Sequence, residues 1–450
     1  MGAGAALRAV GGSQSPRERQ RILIGGVPRG GTTLALRLIG DYQGVFAWPG
    51  ESGVLNTTQA LWSNGAPNPA CREQIEANVL ENLVSALIAM QSWNLASGDM
   101  PDAPLPDLSQ VQALAHAVTD AAYAAASVRH ALVLAADALS AFLSDFTDAA
   151  VIAEKTPNNI FAFPHLCDLS SLLWIVCHRE PFAVIASMQQ RAGADPFAAG
   201  WDSSVDGCIG VYLRHAKRVI RALRTGQAVG ICYDAMCNKP DRFFSDVAAR
   251  SGFALGPHAG LGVVRQIAGR QGWRKFDPIQ RWRVLRLTES VRRLLGYDEG
   301  YYGLEESEMS DPAPLDCFAA DALNGLYSVD AGATHRWMAG EASFAIVAPH
   351  DVSAITARVF VPAALGLPAQ ALTVVGSAGR RLAHVAVPPD QLTAITVDLS
   401  RAAPLAVSEQ GRLFRFDVYA AQNCLPLAQT PGLLDARVVS CLLSAWKPAS

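Results

Sequence analysis

The sequence predicts an α/β unit, a P-loop parallel sheet flanked by helices, followed by a smaller all-β sandwich. Three observations carry this. Short apolar runs at 22–24, 172–177 and 229–232 have no polar breaks. Such runs suit strands buried on both faces of a parallel sheet. Between them lie long Ala- and Leu-rich stretches of helical character. Beyond residue 316 the hydrophobic period switches to two, the mark of strands with one buried face.

Composition bounds the rest. At 450 residues the chain is too long for one typical domain, and half of it is hydrophobic. A net charge of −3 argues against a nucleic-acid binder that relies on bulk electrostatics. Nine cysteines, with no C-x-x-C pair, read as free thiols of a reducing compartment, hence the cytoplasm. No apolar run suits a signal peptide or a membrane helix. No His/Cys cluster suggests a metal site, and no metal is expected.

Residues 1–20 read as a disordered lead-in. The stretch RILIGGVPRGGTT, Arg21 to Thr33, then gives strand, Gly-rich loop and helix. This arrangement points backbone N–H groups and a helix N-terminus at an anion. The pattern G-x-x-x-x-G-K-[ST] can be laid on Gly26 to Thr33, but Thr32 then stands where lysine is required. Arg29 is the cation of the loop, and an Arg fork suits an oxyanion. An ordinary βα turn built with glycines is the alternative.

Pro49-Gly50 marks a turn, and Glu51 follows it. Glu73, Glu76 and Glu81 recur at helical spacing and read as a solvated face. Glu51 is either a functional acid or a plain surface one. Residues 54–150 are predicted to be a helical insertion, punctuated by Pro101, Pro104 and Pro106. VIAEKTP, 151–157, reads as a strand that delivers Lys155 to the sheet's carboxyl edge; a lone Lys is usually only solvated. LLWIVC then runs into HREPFAVIASMQQR, with Arg179 at the strand end and Pro181 at a helix N1 position. Ser187 and Arg191, four apart, share a helix face.

VPRGGTT resembles the 5′-phosphosulfate loop of sulfotransferases that use 3′-phosphoadenosine 5′-phosphosulfate (PAPS), with Gly30 where the family often has Ser. REPFAVIAS resembles the family's 3′-phosphate site, and EKTP looks like its motif whose Lys meets the phosphosulfate bridge. The motif pattern is closest to the branch that modifies tyrosine and glycans. The resemblance covers roughly residues 20–300 and implies PAPS as donor, PAP as product and a hydroxylated acceptor. It implies that Pro28, Arg29, Gly30, Gly31, Thr32 and Thr33 hold the 5′-phosphosulfate. Arg179 and Ser187, supported by Arg191, would hold the 3′-phosphate. Tyr233, in a Tyr-Asp segment after a short strand, and Arg270, in a late Gly–Arg loop, would complete the nucleotide site. Glu51 would be the general base, with Lys155 and Arg29 meeting charge on the bridging oxygen; Glu154, beside Lys155, is the reserve candidate.

The sulfotransferase domain is expected over 21–304, a linker over 305–316 and the β-sandwich over 317–450. In the last, Ile355, Ala357, Val359 and Val361 alternate with Thr356, Arg358 and Phe360, and Phe414, Phe416 and Val418 with Arg415 and Asp417. Asn324 to Ile346 resembles the start of a β domain appended to bacterial glycan-modifying enzymes. This favours a glycan acceptor. Two other readings stay open: a P-loop kinase of a small metabolite, and a non-enzymatic glycan-binding scaffold.

Overall fold

The computed structural model describes residues 20–92, 105–192, 202–251, 272–302, 317–327, 334–429, 431 and 437–449. The lead-in through residue 19, the linker 305–316 and Arg270 lie outside them.

The first unit is built on strands β1 (Gln20–Gly26), β2 (Val45–Ala47), β3 (Val151–Lys155), β4 (Leu172–His178) and β5 (Ala228–Cys232). They form a parallel sheet in the order β2-β3-β1-β4-β5. Every residue of β3 and β4 is buried, as the unbroken apolar runs require when helices cover both faces. Helix α1 (Thr32–Gly40) follows β1. Between β2 and β3 the chain runs through α2 (Val54–Leu61), α3 (Arg72–Val84), α4 (Leu108–Ala124) and α5 (Val128–Ser144). The Ala-rich 109–146 stretch is therefore two helices. Ser127 makes the break: its side chain accepts from the His130 N–H and caps α5. The second half of the sheet carries α6 (Pro181–Ala192), α7 (Val205–Thr225), α8 (Tyr233–Asn238), α9 (Pro240–Arg250) and α10 (Pro278–Leu294).

The C-terminal unit is antiparallel. Its main strands are β6 (Ala319–Leu326), β7 (His335–Pro349), β8 (Ala354–Phe360), β9 (Gln370–Gly376), β10 (Arg381–Val387), β11 (Thr393–Asp398), β13 (Gly411–Ala420) and β14 (Cys441–Ser444), with two-residue β12 (Ala406–Val407) and β15 (Lys447–Pro448). Among the described residues these join one hydrogen-bonded sheet along the path β10-β9-β13-β7-β14-β8-β11. The two ends of that path, β10 and β11, come together, so the sheet curls into a half-barrel round its own apolar core. Alternation predicts which side chains face a core. It does not distinguish two packed sheets from one curled sheet.

The two units share apolar surface. Leu323, Ala345, Val347 and Leu413 of the β unit belong to the same buried cluster as Tyr212, Ala216 and Leu287 of the α/β unit. At Gly210 of α7 a Cβ would stand 2.0 Å from the Leu323 carbonyl oxygen. The outward face of β13 meets this junction. Arg415 is 3% exposed and Asp417 4%. Arg415 donates to the Leu287 carbonyl at 2.7 Å. Asp417 accepts from Ser343 at 2.6 Å and pairs with Lys217 at 2.7 Å.

Candidate active site

Each of the five parallel strands ends at the same edge, and each delivers one residue that the sequence singles out. The turn after β1 carries Arg29, the loop after β2 carries Glu51, β3 ends on Lys155, β4 is followed by Arg179 and β5 by Tyr233. Adjacency in the sheet brings the loops together: Ile24 lies opposite Lys155, Gly26 opposite Cys177, and His178 opposite Cys232. Carboxyl ends of parallel strands gather loops in this way.

The first loop leaves β1 under tight constraint. Gly26 has φ 140°, and a Cβ there would lie 2.1 Å from the Cys177 carbonyl oxygen, so only glycine fits beside β4. Gly31, with φ 99°, stands at the N-cap of α1, where a Cβ would meet the Tyr233 ring at 2.6 Å. No side chain among the described residues caps α1, and its first turn carries no acid. The orphan amides and the positive helix end therefore face the loop. Thr32 is buried and Thr33 half-buried at that end. Arg29 takes φ 60°, a left-handed conformation that costs a non-glycine residue about 1 kcal/mol or more. From there its Nε donates to the Ser187 Oγ at 2.9 Å.

That bond joins the two anion loops. Ser187 and Arg191 sit one turn apart on α6. Arg179, at the start of the same segment, is buried with its guanidinium 4.0 Å from the Tyr233 ring centroid, a cation–π contact. Its Nε is buried without a hydrogen-bond partner among the described residues. Glu180 accepts from the Phe182 N–H at 2.9 Å and the Ala183 N–H at 2.5 Å, capping α6. Burial pushes its carboxyl up to about 8, against the pull of those amides and Arg179.

On the other side of β1, Lys155 Nζ meets Glu51 Oε1 at 2.5 Å, with Lys155 5% and Glu51 29% exposed. Glu154 points elsewhere. It is 2% exposed. Its Oε1 accepts from the Ser52 N–H at 3.0 Å, the Ser52 hydroxyl at 2.9 Å and the Thr156 hydroxyl at 2.6 Å. Its Oε2 accepts from Asn159 at 2.6 Å. Glu154 thus clasps the 51–53 loop to β3 and has little acceptor capacity left for chemistry. Trp48, fully buried against Phe142 and Phe146, anchors the same loop to α5.

The structure thus joins Arg29 to Ser187 and Arg179 to Tyr233, and pairs Glu51 with Lys155 at the same sheet edge. Sequence reasoning passed over Ser52, Thr156 and Asn159, the partners of Glu154, and Glu180 as a cap. A signal for Glu180 existed, since an acid directly before Pro at N1 is a cap pattern. Ser52 and Asn159 carried none.

Sheet order and flanking helices together define an α/β unit of the P-loop kind. The chain belongs to the sulfotransferase family: the model described as "Sulfotransferase family" matches residues 21–255, more than half of its length. Among solved structures it is similar to the sulfotransferase domain of the Synechococcus PCC 7002 olefin synthase, with 13% identity and a TM-score of 0.35 over 64% of this chain and 98% of that one. It is also similar to a sulfotransferase of Mycobacterium tuberculosis, with 17% identity and a TM-score of 0.31 over 65% of this chain and 76% of that one. No curated protein sequence matches. No helix among the described residues is long and apolar enough to cross a membrane.

Proposed function

We propose that the protein moves a sulfuryl group from PAPS to a hydroxyl of an acceptor, a bacterial surface glycan or glycolipid, in the cytoplasm. The observation that carries this reading is the meeting of Lys155 and Glu51 beside a loop pair tied by Arg29 and Ser187. Thr32 stands where a kinase loop needs lysine, which counts against phosphoryl transfer.

PAPS supplies an activated sulfuryl group between two anionic ends. The amides of residues 29–33, with Thr32, Thr33 and the Arg29 fork, suit the 5′ end. Arg179 and Ser187, supported by Arg191, suit the 3′-phosphate, with Tyr233 holding the guanidinium flat. Pro28 stiffens the turn that presents them, and Gly30 and Gly31 keep side chains out of the way; Arg270 would close over the nucleotide. A sugar hydroxyl ionises far above neutral pH, so its proton needs an acceptor as the new bond forms. Glu51, on the loop after β2, would take it. Lys155 orients that carboxylate and has further N–H groups to meet charge on the departing oxygen. Cationic side chains fill the role that a metal has in phosphoryl transfer.

The test is calorimetry with PAP and ATP, joined to transfer of labelled sulfate from PAPS into lysate acceptors. Binding of PAP but not ATP, with label transferred, is expected. ATP binding in preference to PAP would overturn the reading.

A further inference from the structure

Helix α7 runs along the junction of the two units and presents Arg214, Lys217 and Arg218 toward the β unit. Two of these are taken. Lys217 pairs with Asp417 at 2.7 Å, and Arg218 with Glu341 at 3.2 Å. Arg214 makes no hydrogen bond or ion pair with any described residue. It is exposed, and its guanidinium lies 4.7 Å from the Phe161 ring centroid. The two acids are thus engaged by Lys217 and Arg218, and Arg214 is left without an ion pair of its own. The β unit adds Tyr327, whose hydroxyl donates to the Val438 carbonyl at 3.0 Å and whose ring lies 5.6 Å from the Arg437 guanidinium.

Phe161 ties this cluster to the chemistry. It follows Lys155 by six residues, in the 3₁₀ turn 157–161. Its carbonyl accepts from Gln59 on α2 at 3.3 Å. Gln59 is five residues beyond Val54, where α2 leaves the Glu51 loop, or about 8 Å along a helix. An arginine laid flat on a ring keeps its N–H edges for a planar oxyanion.

We propose that Arg214, on the Phe161 ring and beside Tyr327 of the β unit, binds an oxyanion carried by the acceptor, so that the substrate is an acidic glycan. The inference rests on the sulfotransferase reading. It gives the β unit a role: Tyr327, with the Arg437 guanidinium on its ring, stands beside the acceptor's anion.

The test is calorimetry on the full chain, with and without PAP. The probes are an unsulfated chondroitin hexasaccharide, which carries carboxylates, its sulfated form, and neutral maltohexaose. At least one acidic sugar is expected to bind at least tenfold tighter than maltohexaose. Arg214→Gln should erase that preference and leave PAP affinity unchanged, while Arg214→Lys should restore part of it. The carboxylate and sulfate arms identify the oxyanion. Equal binding of acidic and neutral sugars, no binding of either, or an Arg214→Gln protein that keeps the preference would overturn the proposal. Binding to phosphatidylglycerol vesicles in place of the sugars would overturn it in favour of a membrane surface. Failure of wild-type PAP binding would sink the donor reading instead, a separate result.

Discussion

The two sheets of this molecule handle polar residues in opposite ways. In the parallel sheet the interior is apolar and the polar side chains wait at the carboxyl edge, where five strand ends converge. In the antiparallel sheet successive strands reverse, so no edge gathers them. Its buried charged residues among those described, Arg415 and Asp417, sit mid-strand in β13 and face the other unit. The first arrangement gathers charged groups at one edge. The second consumes them in an interface.

The comparison breaks first at Glu51. Glu51→Gln keeps the shape of the loop but cannot take a proton. Labelled-sulfate turnover should fall by roughly 10²–10⁴-fold, while PAP affinity by calorimetry stays near wild type. A loss under about tenfold would move the base elsewhere. Glu154 would be a poor heir, because its oxygens already accept four hydrogen bonds.

Next comes Asp417→Ala in the interface. It leaves Lys217 only its longer contact with Glu341, at 3.7 Å, and frees Ser343; removing one partner of a buried pair costs about 3 kcal/mol or more. Thermal unfolding should show both units melting earlier and together. A β unit that melts alone, with the α/β unit unmoved, would show that the junction carries little.

Arg179→Ala probes the open edge. Loss of a charge-assisted contact should weaken PAP binding by about 1.5–3 kcal/mol, with the melting temperature little changed. Unchanged affinity would remove Arg179 from the 3′-phosphate site.

A pH-dependent effect concerns Glu180, whose burial raises its pKa from 4.5 to about 8. A raised carboxyl binds its proton more tightly folded than unfolded. Its contribution is therefore full below about pH 4.5 and lost as pH rises through 8. The slope is at most about 1.4 kcal/mol per pH unit. Glu180→Gln should flatten stability over pH 5–8 in denaturant titrations; an unchanged slope would mean that the amides keep Glu180 ionised.

Local chemistry was legible in the sequence because loops after buried strands have few options. Arg29, Lys155, Arg179 and Tyr233 all emerge where the apolar runs end. What was not legible needed contacts between distant segments. Ser187 gave no hint that it would meet Arg29, 158 residues earlier. The period-two pattern of 414–418 made Arg415 and Asp417 look solvent-facing, since a pattern tells one face from the other but not what covers each. The single curled sheet was hidden for the same reason.

One contact bears on how the protein is made. Leu425, Leu427 and Ala428 complete the apolar cluster of the helical insertion, beside Trp48, Ile75 and Val118. The Asn68 N–H donates to the Ala428 carbonyl at 2.9 Å. During synthesis, then, the insertion emerges some 300 residues before the segment that covers it. At 5–20 residues per second that gap lasts on the order of tens of seconds. Throughout that time a nascent chain carries an uncovered apolar flank, and ribosome-bound chaperones have their clearest substrate there.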